Sequence, residues 1–63
     1  MTKLEKLYQN MADTLEQGMT DLEKFEAGNM SAGTRVRKNM QIVKELAQKT
    51  RVVVQEQKNA VAA

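Results

Sequence analysis

Sixty-three residues with no cysteine, histidine, tryptophan or proline, and ten basic against eight acidic side chains, make one small domain and no more. That composition excludes disulfide stapling, the usual zinc ligand sets and any cysteine- or histidine-based catalysis. A chain this short buries a limited share of its surface, which leaves association with another chain as its source of extra stability.

The residues that remain are rich in Lys, Glu, Gln, Ala, Leu and Met, a helical and coiled-coil-like composition. Thr2-x-x-Glu5 is a capping box and starts a first helix near residue 3. Leu4, Tyr8, Met11, Leu15, Leu22 and Phe25 then follow alternating steps of four and three, with Gly18 in one slot, and Leu7 and Met19 widen the stripe. The pattern ends at Phe25, helix one spans about 3–27, and Gly28 supplies the residue a helix C-terminus prefers.

A turn over about 28–31 leads into helix two, about 32–59, with Ser31 as its N-cap and Thr34 as the competitor. Val36, Met40, Val43, Ala47, Thr50, Val54, Gln57 and Val61 repeat the stepping, and Ile42, Leu46 and Val53 broaden it. The Val-rich "RVVVQ" would suit a strand, but it lies inside a sustained heptad and reads as helix. The last residues, Asn59 to Ala63, are expected to fray. A connection this short folds the helices back antiparallel. The expected fold is all-α, an antiparallel two-helix hairpin in a single domain over 1–63. A register with facing positions adding to 63 sets Glu26 opposite Arg37 and Glu5 opposite Lys58. Leu7, Leu46 and Val53 are left uncovered in that arrangement, so two hairpins are expected to pair as a homodimer, a four-helix assembly.

No catalytic constellation is present. "GNMSAGTR" has the glycine spacing of a phosphate-binding loop, but Thr34 stands in the lysine slot and no strand precedes it. The acidic residues of helix one read as a solvated face, and the methionines near the seam as core filler. No enzyme activity, cofactor, metal or small-molecule substrate is expected.

The charges are unevenly placed. Residues 1–29 hold Lys3, Lys6 and Lys24 against six acidic groups, whereas residues 30–63 hold seven basic groups against Glu45 and Glu56. Arg35, Arg37 and Lys38 crowd the start of helix two, where the helix dipole disfavours cations by roughly 0.3–1 kcal/mol each. Unpaired N–H groups, the hydroxyls of Ser31 and Thr34 and the bare backbone of Gly33 would suit a phosphate there. Arg37, Lys44, Arg51 and Lys58 also recur every seven residues, a stripe of about 31 Å at ~1.5 Å per residue. It reads either as a track for a nucleic-acid backbone or as the charged border of a coiled coil meeting helix one. With no aromatic platform and no base-reading motif, binding would be through phosphates and indifferent to sequence. The candidate phosphate-binding residues are Ser31, Gly33, Thr34, Arg35, Arg37, Lys38, Lys44 and Arg51, with double-stranded DNA as partner; the same contacts would hold RNA. The first stretch carries too many charges for a signal peptide, and no apolar run approaches the ~20 residues of a membrane span. A cytoplasmic, nucleoid location is expected, with no membrane partner.

"EKFE", the turn "GN", "AGTRVRK", "MQ..K.LAQ" and "R..VQE.KN" together resemble the bacterial linker-histone-like proteins, the family of the chlamydial chromatin-condensing protein. The resemblance covers residues 4–59 and implies a nucleoid-associated protein that binds and compacts DNA without strong sequence preference. Gly33, Thr34, Arg35, Arg37 and Lys38 are the positions that match its most specific block. The chlamydial member continues into a Lys/Ala-rich tail, whereas this sequence stops at Ala63, which predicts weak binding as a dimer or several dimers gathered along DNA. The rival reading is a coiled-coil oligomerisation or adaptor module with no nucleic-acid role.

Overall fold

The computed structural model describes residues 1–62, the side chain of Ala62 apart, as two helices, α1 (Lys3–Glu26) and α2 (Met30–Ala62). Thr2 caps α1 in extended backbone. Its hydroxyl accepts from the Glu5 N–H at 3.1 Å, and its own N–H donates to Glu5 Oε1 at 3.0 Å. The Thr2 backbone N–H, and after it the Thr2 hydroxyl, hold the Glu5 carboxyl below its ordinary value of 4.5. A carboxyl depressed on folding stabilises above its unfolded pKa and loses that contribution as pH falls through the folded one. The melting-temperature gap between the parent and Glu5→Gln should therefore be widest near neutral pH and close as a thermal-melt series moves below about 4.5. Thr2→Ala should cost about 1 kcal/mol at neutral pH in the same melts.

α1 ends in a Schellman turn. Gly28 N–H donates to Phe25 O at 3.0 Å and Asn29 N–H to Lys24 O at 2.9 Å, which satisfies two carbonyls the helix would leave open. The geometry needs φ of +108° at Gly28, where a side chain would be strained. Because Asn29 completes this turn, α2 opens at Met30, two residues before the expected start at 32. Ser31 is therefore not the N-cap: it sits in the first turn of α2 and donates its hydroxyl to Asn29 Oδ1 at 2.7 Å, and Thr34 lies further inside. The far end differs too. α2 is helical through Ala62, past the expected end near 59, and Ala63 lies outside the described residues.

A tight turn centred on Gly28 sets the register of the hairpin. Asp21 meets Arg35, Gly18 meets Asn39 and Phe25 meets Gly33, so facing positions add to 56, 57 and 58 rather than 63. Neither Glu26–Arg37 nor Glu5–Lys58 forms an ion pair; the pair among the described residues is Arg35 Nε to Asp21 Oδ1 at 2.8 Å.

The seam is rotated from the expected one. On α1 the half-buried positions are Leu4, Leu7, Met11, Thr14, Gly18 and Asp21; on α2 the covered ones include Ala32, Val36, Asn39, Val43, Leu46, Thr50 and Val53. Leu7, Leu46 and Val53, expected to lie uncovered, thus face the other helix, while Tyr8, Leu15, Leu22, Met40 and Val54 lie exposed. The cause is the width of the apolar stripe: it covers two adjacent faces of each helix, and two helices alone can close only one. Small residues let that face come close. A Cβ on Gly33 would lie 2.8 Å from the Phe25 ring, and one on Gly18 would lie 2.7 Å from Asn39 Cγ. The polar members of the seam are bonded in place: Asn39 Nδ2 donates to Thr14 O at 2.7 Å and the Thr50 hydroxyl to Leu46 O at 2.8 Å.

Candidate nucleic-acid interface

Three of the residues expected to hold a phosphate make contacts inside the hairpin. Ser31 is engaged with Asn29, Gly33 serves the close approach of Phe25, and Arg35 is turned to Asp21. Thr34 and Lys38 are exposed and share a face of α2 with Ser31 and Arg35 at three- and four-residue spacing. Since α2 starts at Met30, Arg37 and Lys38 are more than a full turn from its first N–H groups, beyond the reach of the end effect of the helix dipole. The start of α2 is thus packed at Ala32 and Gly33, with Ser31, Thr34, Arg35, Arg37 and Lys38 exposed around them.

The heptad row survives as a unit. Arg37, Lys44 and Arg51, with Lys58 beyond them, are all exposed and share one line along α2. None of the four forms an ion pair with α1, as the border reading would require. At ~1.5 Å rise per residue the four cations are spaced about 10.5 Å apart on a rigid rod. The molecule is 53 Å long and only 11 Å thick, so the row runs over much of its length. Rigidity matters here, because cations fixed at a repeat lose less entropy on meeting an anionic polymer than the same cations on a floppy chain.

The sequence reading missed two contacts at the corner, Asp21 with Arg35 and Phe25 with Gly33. The signal for the first was present in the seven-residue spacing of Leu7, Thr14 and Asp21, passed over because two of the three are polar. No group of three or more Asp or Glu close enough to hold a metal occurs among the described residues, and no helix among them is long and apolar enough to cross a membrane.

No curated protein and no solved structure matches the chain. The family described as histone H1-like protein Hc1 matches residues 5–60, a span that takes in α1 from its first turn, the Gly28 turn and nearly all of α2 with its row of cations. The all-helical hairpin with an exposed basic row therefore belongs to the histone H1-like Hc1 family, and with it to the DNA-binding proteins of chromatin.

Proposed function

We propose that the chain binds double-stranded DNA without sequence preference by laying the row Arg37, Lys44, Arg51 and Lys58 along the phosphate backbone, in the nucleoid of a bacterial cytoplasm. The observation that carries this reading is the exposure of all four cations, with no ion pair to α1, on one line of a rigid helix in a histone H1-like chain. Lys38, next to Arg37, adds charge at one end of the row. Ser31, Gly33, Thr34 and Arg35 are given no phosphate contact here, since three of them are held by internal contacts. Compaction would follow from several chains lying along or between duplexes.

Fluorescence-anisotropy titration of mixed-sequence duplex DNA at several salt concentrations tests it. Each phosphate neutralised contributes ~0.9 to the slope of log K against log salt, so one row of four gives about −3.6 per chain. Unrelated sequences should give the same slope, and duplex RNA measured alongside tells whether the grip depends on the polymer. Absence of binding at low salt would leave the rival reading, an assembly module with no nucleic-acid role, whose support is the exposed apolar face of the hairpin.

A further inference from the structure

The seam gives the hairpin two broad sides of opposite character. One is apolar, with Leu15, Met19, Leu22 and Met40 around a shared groove. The other is polar and carries its own line of hydrogen-bond donors. On α1, Lys3, Asn10, Gln17 and Lys24 recur every seven residues, and all four are exposed. α1 holds six acidic residues, and none of them falls on this line. Neither lysine forms an ion pair, since the pair among the described residues is Arg35 with Asp21. Lys3 shares a groove with Leu7, Lys49 and Val53, none of which lines the apolar groove. Leu7 and Val53 belong to the seam, so the line runs along the side of the hairpin that the apolar groove does not occupy.

The line and the basic row of α2 point away from one another. A heptad repeat turns ~103° per residue, which sets the row Arg37, Lys44, Arg51 and Lys58 about 130° from the centre of the α2 seam, beyond the apolar Met40 and Val54. The α1 line lies about 80° from the centre of its own seam, towards the other side. Across an antiparallel pair these directions differ by about 130°, so a duplex seated on the row leaves Lys3 and Lys24 free on the far side of a body 11 Å thick. Ammonium and primary amide groups both donate to phosphate oxygens. We propose that Lys3, Asn10, Gln17 and Lys24 form a second contact line for duplex DNA, so that one chain holds two duplexes on its two sides. The proposal rests on the reading of the basic row as the first contact. On the same side, Lys38 and Lys49 of α2 are balanced by Glu45 and Glu56, which makes the second contact the weaker one. Its salt slope follows Lys3 and Lys24 and is about −1.8.

The test separates the two contacts. A duplex tethered to beads and loaded with the chain should capture a second, fluorescent duplex of unrelated sequence. In Lys3→Gln with Lys24→Gln, capture near 0.1 M salt should weaken by about 50-fold, the loss of two phosphate contacts. Anisotropy on a single duplex should stay within a few-fold of the parent, because the row is untouched. Asn10→Lys with Gln17→Lys, exposed and inside α1, should act in the opposite sense and strengthen capture by about 10-fold or more. Capture that survives the loss of both lysines would come from the row of another copy and overturn the proposal. A parent chain that binds one duplex by anisotropy and captures no second would overturn it too. So would added lysines that tighten the first duplex and leave capture unchanged, since the line would then share that duplex. No binding by anisotropy at low salt is a different failure, that of the basic row itself, and it removes this proposal with it.

Discussion

Replacing Arg37, Lys44, Arg51 and Lys58 together by glutamine will lower duplex-DNA affinity by about three to four decades near 0.1 M salt and flatten the salt slope by about 3.6. Both figures have one origin: each phosphate contact releases ~0.9 counterion, and each such release is worth nearly a decade at that salt concentration. Helical content should be unchanged, because the row makes no ion pair with α1 and glutamine is as good a helix former as lysine or arginine. Arg35→Gln is the informative control. Its guanidinium is engaged by Asp21 at 2.8 Å, so this change should leave DNA affinity within a few-fold of the parent and lower stability by at most about 1 kcal/mol, as for a partly exposed ion pair. If Arg35→Gln instead weakens DNA binding more than the fourfold change does, the start of α2 is the phosphate site and the row is not.

Asn39→Asp is expected to destabilise the hairpin by about 2–3 kcal/mol at neutral pH, which for a chain with so small a core means loss of the folded state. The change alters no volume. It turns the half-buried amide that donates to Thr14 O at 2.7 Å into a carboxylate with nothing to donate, aimed at a carbonyl oxygen. The backbone of Gly18 lies close against the Asn39 side chain and closes one direction of retreat. Protonation restores a donor, so the folded variant holds its proton to a pH above the unfolded aspartate pKa of about 3.9. A group whose pKa is raised on folding stabilises below its unfolded pKa and loses that contribution as pH rises through the folded one. The variant should therefore melt higher on acidification towards pH 3, against the parent's fall as the Glu5 cap is titrated. Asn39→Leu, close in shape, should be nearly neutral, because Thr14 O already belongs to the hydrogen-bond ladder of α1. Circular-dichroism melts across pH 3 to 7 measure all three. An acid-insensitive Asn39→Asp would mean that the amide does not make this bond.

The cap at Thr2 and Glu5, the stop at Gly28, the two long helices and their antiparallel return were all legible in the sequence, because each rests on contacts a few residues apart. The basic row was legible for the same reason, since a seven-residue repeat places its members on one line of any helix. The start of α2 was not. Ser31 and Thr34 are both good caps by type, but the Schellman turn closes on the Asn29 N–H and α2 begins at the very next residue, Met30. Local preference ranked the candidates, and the geometry of the preceding helix end chose among them.

Which side of each helix turns inward also lay beyond the pattern. Tyr8, Leu15 and Leu22 look better suited to an interior than Leu7, Thr14 and Asp21, and a stripe wide enough for two faces does not say which face closes within the chain. The tertiary structure decided it through fit. Gly18 under Asn39 and Gly33 under Phe25 allow the helices to approach where large side chains would hold them apart, and Arg35 and Asn39 satisfy the polar groups drawn in with that face. The sequence by itself therefore determined the elements, their direction and the line of positive charge, all set by short-range chemistry. Only the tertiary structure decided register, buried face and which cations remain free, because those depend on steric contacts between residues far apart in the chain.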